Sequence, residues 1–191
     1  MPARKPRRPG PILQLHISLQ DIEPPIWRRV LVHDTMSLAN LHSVIQEAFG
    51  WQDYHLFAFV VAGKRYEGPS PDAEGADATR VALKKLPLEP GTGFEYVYDF
   101  GDDWHHTVLV EQRLTRDRDG QYPVCLDGER AGPPEDCGGP PGYANLLRAL
   151  GDPGDPEHPD LVVWAGPWAP EAFDLRATNR ILQLAFPTRA V

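Results

Sequence analysis

The chain has 191 residues, 41% apolar and 24% charged, which is enough to bury one core and excludes wholesale disorder. A net charge of −8 argues against a non-specific nucleic-acid coat, and 17 glycines with 21 prolines, about a fifth of the chain, predict long irregular connections. No apolar run approaches the ~18 residues of a membrane helix, and the basic start (Arg4, Lys5, Arg7, Arg8) lacks the apolar stretch of a secretory signal. Two cysteines, Cys125 and Cys137, make no disulfide framework, so a reducing, cytoplasmic setting is expected.

Residues 1–11 read as a disordered basic tail, with phosphate contact as the sharper alternative. From Ile12 to Leu19 the residues alternate, with Leu13, Leu15, Ile17 and Leu19 on one face, which predicts a half-buried strand. After Pro24 and Pro25 a second strand runs from Ile26 to Val32. A helix follows Ser37: Leu38, Leu41, Val44, Ile45, Ala48 and Phe49 form one stripe, Ser37 or Thr35 caps it, and Gly50 ends it. His42 beside the stripe reads as a surface or boundary histidine. Residues 56–62 and 65–67 read as a hairpin turned by Gly63-Lys64, and 68–79 as a loop. Strands are expected over Phe94–Phe100 and Thr107–Leu114, joined by the Gly101-Asp102-Asp103 turn. A long charged and Gly/Pro-rich excursion covers 115–142. A short helix spans Tyr143–Leu150, a loop 151–159, and one or two final helices lie within Ala172–Leu184. The order is α+β with long Gly/Pro-rich loops, and no linker clearly splits residues 12–191.

Two segments carry dense chemistry. Tyr96 to His106 holds three carboxylates, two imidazoles and four aromatics. In a hairpin Asp99 and His106 would face each other, a general-base or metal pair in principle; turn-forming aspartates, a packing Trp104 and a structural His–Asp hydrogen bond are the plainer reading. The second segment, Cys125 to Gly139, places its cysteines too far apart for a zinc knuckle. With His105 and His106 they would still offer four ligands. Glu135-Asp136, stiffened by Pro133-Pro134, would hold a cation, cap the following helix, or pair with Arg28 or Arg29; the last is the favoured structural role. Walker, dinucleotide, nucleophile-elbow and HExxH motifs are absent. Trp27-Arg28-Arg29 and Lys64-Arg65-Tyr66 interleave basic and aromatic residues, as nucleic-acid binding requires, although Trp27 also suits the core.

Three segments stand in order: Ile22–Arg29 leading through Leu38–Trp51, then Tyr98–His106, then Pro133–Gly139 with Gly142-Tyr143. Together they resemble the plasmid pRiA4b ORF-3-like family, also described as transposon-passenger TnpR-like proteins. The resemblance spans roughly 12–184 and implies a single α+β domain over 12–191, a mixed curved sheet with helices packed against it, often plasmid- or mobile-element-encoded, with no activity or catalytic residues to carry over. Many members are expected to have cysteine before Pro-Pro-Glu-Asp, where this chain has Gly132, which weakens a cysteine-based zinc site.

The leading expectation is a non-enzymatic binding module, with a groove lined by Trp27, Tyr98, Trp104 and Tyr143 and with Arg28 or Arg29 near Glu135 and Asp136. No cofactor is expected. The first alternative is a metal-dependent, hydrolase-like enzyme using Asp99, Asp102, His106 and Glu135, with Cys125 and Cys137 as further metal candidates. The second is a nucleic-acid-binding protein. A protein or nucleic-acid partner is open; a membrane partner is not expected.

Overall fold

The computed structural model describes residues 11–117 and 119–187; of the expected 1–11 tail, residues 1–10 lie outside them. Strands β1 (Ile12–Leu19) and β2 (Trp27–His33) pair antiparallel, and helix α1 (Leu38–Phe49) follows. Ser37 caps α1 by accepting the Asn40 N–H, and Gly50 ends it in the left-handed conformation. Next come β3 (Phe57–Val61), β4 (Lys64–Glu67), β5 (Ala76–Asp77) and two 3₁₀ turns. The chain then forms β6 (Gly93–Tyr98), β7 (Trp104–Leu114), β8 (Val124–Glu129), α2 (Gly139–Gly151), α3 (His158–Ala165) and α4 (Leu175–Ala185). The eight strands make one open sheet, ordered β5-β4-β3-β6-β7-β1-β2-β8, in which only β4–β5 is parallel.

The alternation in the sequence decides what each face does. Leu13, Leu15, Ile17, Val30, Val32, Val108 and Val110 share one face with Phe94, Tyr96 and Tyr98 and pack with the α1 stripe into one core. The opposite face is half exposed: Arg29 is bidentate to Glu111, and Trp27 stacks on His16 and donates to Glu129. Trp27 therefore sits on the outer face, not in the core.

Several expected loops hold structure. β5 lies within 68–79, β8 within 115–142, and α3 spans the end of the expected 151–159 loop and the residues after it. α2 begins at Gly139, four residues before the expected start, with proline in its first turn where no intrahelical N–H is needed. The first strand of the hairpin ends at Tyr98, leaving Phe100 exposed in the turn, and β7 starts earlier, at Trp104.

Two polar devices fix the packing. Arg28 is buried on the core side of β2. Its guanidinium donates to the carbonyls of Ala48, Trp27, Glu129 and Arg130 and lies between the Phe49 and Phe173 rings. Burial lowers its pKa to about 10, which leaves it charged at neutral pH. His42 is buried too, not at the surface, and stacks on Phe57 with centroids 3.7 Å apart. It joins a closed ring: Gln46 Nε2 donates to Tyr96 Oη (3.0 Å), Tyr96 Oη meets His42 Nδ1 (2.7 Å), His42 Nε2 meets Asp53 (2.7 Å), and the Asp53 N–H donates to Gln46 Oε1 (2.9 Å).

At the sheet edge, Asn179 of α4 accepts the Cys125 N–H and donates to the Cys125 carbonyl, so a side-chain amide stands in for a neighbouring strand along β8.

Candidate functional site

The site is built where the β6–β7 turn, the segment between α1 and β3, and the loop before α2 meet. Asp99 opens the turn with φ 54°; its N–H donates to the Leu56 carbonyl and its Oδ1 accepts from Gly101 N–H. Asp102 Oδ2 accepts the Gly138 N–H (3.0 Å), which fastens the turn to the loop. The loop is held on its other side as well. Trp51 Nε1 donates to the Pro133 carbonyl, Trp168 Nε1 to that of Gly132, and Glu135 accepts from Gln52 N–H and from the Tyr98 hydroxyl. At Gly132 a Cβ would stand 2.1 Å from the Phe49 carbonyl oxygen, so in this chain a cysteine there is excluded by the backbone of α1.

This arrangement brings together His55, Asp99 and Asp136. His55 Nε2 lies 3.0 Å from Asp136 Oδ1 and 3.6 Å from Asp99 Oδ2, and one ligand atom from each of the three falls within 4.8 Å of the others. The His55 ring stands edge-on to Tyr98. Beyond Asp136 the loop, α2 and α3 enclose a groove of about 210 Å³ lined by Asp136, Cys137, Gly142, Asn145, Leu146, Leu161 and Trp164. Burial, then the charge of Asp102, pushes the Cys137 thiol up to about 12, which keeps it protonated and poorly nucleophilic. A larger cavity of about 470 Å³ is lined by residues of the 67–77 segment alone, where Glu67 is already bound to Arg65 and Gly75.

The expected pair of Asp99 and His106 does not form. The register sets His106 opposite Tyr96 and ends the ladder at Tyr98–Trp104, so His106 points into the core against Phe49, Trp51 and Tyr96. Its Nδ1 meets the Trp104 carbonyl, and complete burial drops its pKa to about 3, so it is neutral. His105, one residue earlier, faces the other side of the sheet between Glu95 and Asp103. Partial burial there opposes the charge, but the two carboxylates prevail and its pKa is raised. Cys125 is buried and donates to the Asp127 carbonyl. The four-ligand set of Cys125, Cys137, His105 and His106 is therefore not assembled.

Glu135 and Asp136 do not pair with Arg28 or Arg29, whose donors go to carbonyls and to Glu111; nor do they cap α2, whose N-cap is Gly138 without a side-chain bond. Tyr98, Trp104 and Tyr143 are buried core residues, and Trp27 lies on the opposite face, so these four line no common groove. Of the expected residues, the structure gathers Tyr98, Asp99, Asp102, Glu135 and Asp136. It adds His55, whose partners come from distant segments and which no motif in the sequence singled out.

An open, mainly antiparallel eight-stranded sheet closed on one face by helices, with an acidic turn locked to a Pro-Pro-Glu-Asp loop, defines a single α+β class of protein. The chain belongs to the plasmid pRiA4b ORF-3-like protein family, whose sequence pattern matches residues 11–177. It is 36% identical over 158 residues to the uncharacterized protein y4hQ of Sinorhizobium fredii (strain NBRC 101917 / NGR234), covering 81% of each chain. A protein of unknown function from Methanosarcina mazei Go1, MM3350, has the same fold in its crystal structure. Its TM-score is 0.78 at 32% identity, over 87% of this chain and 96% of that one.

Proposed function

We propose that this protein is a non-enzymatic binding module that holds a small ligand in the groove between the 133–139 loop, α2 and α3. The observation that carries the reading is the groove's construction. Its loop wall is anchored by five hydrogen bonds from Trp51, Gln52, Tyr98, Gly138 and Trp168, so it is rigid before any ligand arrives. Leu146, Leu161 and Trp164 supply an apolar wall, while Asn145 and Asp136 supply polar contacts. The groove, about 210 Å³, suits a small molecule with an apolar body and a hydrogen-bonding head.

Nucleic-acid binding has less support, since Arg28 is buried among carbonyls and Arg29 is held by Glu111. No helix among the described residues is long and apolar enough to cross a membrane. Two unpaired cysteines support a reducing, cytoplasmic setting. The family's description, which names a plasmid, is what supports a link to mobile elements.

The test is a fragment library screened by amide chemical-shift perturbation. Hits are expected to move Gly142, Asn145, Leu146 and the Trp164 side chain, and Trp164→Ala or Leu161→Ala is expected to weaken them at least tenfold. Trp164 is half exposed, so its loss leaves the core intact. Hits that map elsewhere, or no hits at millimolar concentration, would overturn the reading.

A further inference from the structure

We infer that His55, Asp99 and Asp136 form a binding site for a first-row divalent cation of the zinc class. This goes beyond the groove reading and does not depend on it: the cation binds whether or not the groove takes a ligand.

Distance supplies the first argument. Two donors each ~2.1 Å from one ion lie roughly 3 to 4 Å apart. The His55 Nε2 separations of 3.0 Å and 3.6 Å fall in that range, and no ligand-atom pair in the group is farther apart than 4.8 Å. Among the described residues this is the one group of three histidine, cysteine or carboxylate side chains so placed.

The second argument concerns the histidine. His55 Nε2 is shielded from solvent yet makes no hydrogen bond, although carboxylate oxygens of Asp136 and Asp99 lie 3.0 Å and 3.6 Å away. A buried polar atom without a partner is costly. An ion on the ring's lone-pair axis removes that cost and at the same time takes up the charge of two carboxylates. The contrast with His105 is direct. That histidine also sits between two carboxylates, but both its ring nitrogens are hydrogen-bonded, to Glu95 and Asp103, as an ordinary ion pair requires.

Support around the ligands provides the third argument. The Gly101 N–H occupies Asp99 Oδ1, which leaves Oδ2 as the oxygen facing His55. Asp99 is tied by its own N–H to Leu56, the residue after His55, so two ligands share one backbone bond. Asp136 follows Glu135, which is fixed to Gln52 and Tyr98, so the third ligand stands on an immobilised loop. One imidazole with two carboxylates suits zinc or manganese better than the all-oxygen preference of calcium or magnesium. Three protein ligands leave at least one coordination position open, and Asp136, whose carboxylate is exposed, also borders the groove.

The experiment uses tag-free full-length protein stripped of metal. Native mass spectrometry with one equivalent of Zn²⁺ is expected to show one bound ion, and calorimetry a single site that magnesium does not fill. His55→Ala and Asp136→Asn are each expected to weaken zinc at least tenfold, with the far-UV spectrum unchanged, while His105→Ala binds as wild type does. Mn²⁺ is expected to broaden the amide signals of residues 55, 99 and 136 before any others. A bare mass at one equivalent, binding unaffected in His55→Ala, or loss of binding in His105→Ala would each overturn the assignment. Should a variant lose its fold, the manganese map on wild-type protein decides the question alone.

Discussion

At the residue scale, adjacent histidines have opposite fates because a strand turns successive side chains to opposite faces. Glu95 and Asp103 raise the pKa of His105 against its partial burial, whereas His106 is kept neutral by full burial. The unfolded His106 takes a proton near 6.5 and the folded one only near 3, so between those values the unfolded chain binds more protons. Its contribution to stability is complete above about pH 6.5 and is lost as pH falls toward 3. At pH 5 the loss is about 2 kcal/mol. Urea unfolding from pH 7 to pH 5 is expected to show this decline, and His106→Leu to flatten it by roughly one proton's worth of slope. His42, whose pKa burial also lowers, accounts for part of the slope that remains. An unchanged pH profile in His106→Leu would refute the argument. The two dense motifs did reveal Asp99, Asp102, Glu135 and Asp136, because aspartate and proline crowding is visible locally. The inward direction of His106 was not legible, since it depends on which residue pairs across the turn.

At the scale of elements, β1, β2, α1 and the β3–β4 hairpin were readable because period and caps are local properties. β8 was not. Val124-Cys-Leu-Asp-Gly-Glu129 carries Asp127-Gly128, turn chemistry in isolation, and becomes a strand only by pairing with β2 from far along the chain. α3 escaped for a different reason: its apolar run Leu161-Val-Val-Trp164 has no helical period, and none of its residues is buried. The β8 edge makes a prediction of its own. Asn179→Ala removes both amide bonds to Cys125 and bares the strand's backbone. A loss of about 1–2 kcal/mol in urea unfolding is expected, together with faster light-scattering growth at high concentration. Equal stability with no added aggregation would show that the amide is dispensable.

For the whole molecule, Arg28 joins three parts that the sequence separates: the end of α1, strand β2 and the turn after β8. Arg28→Met leaves four carbonyls without this donor, and a loss of about 3 kcal/mol or more is expected in urea unfolding. Arg28→Lys is expected to recover only part of it, since an ammonium lacks the planar fork that reaches all four oxygens. A loss under about 1 kcal/mol in Arg28→Met would contradict this role. The same geometry explains why a residue that reads as a surface cation in Trp27-Arg28-Arg29 serves the interior instead.

The closed circuit of His42, Tyr96, Gln46 and Asp53 has one further consequence. A carboxylate only accepts, so Asp53 obliges His42 to carry its proton on Nε2. The free Nδ1 then takes the Tyr96 proton, and Tyr96 must receive from Gln46. Every arrow in the loop is thus set from one fixed point and can run in only one sense. Greasy surfaces tolerate sliding by a fraction of a turn; a one-way circuit does not, since a small shift of α1 against β6 opens several links together. The core holds the helix to the sheet, and the circuit gives it a unique address there.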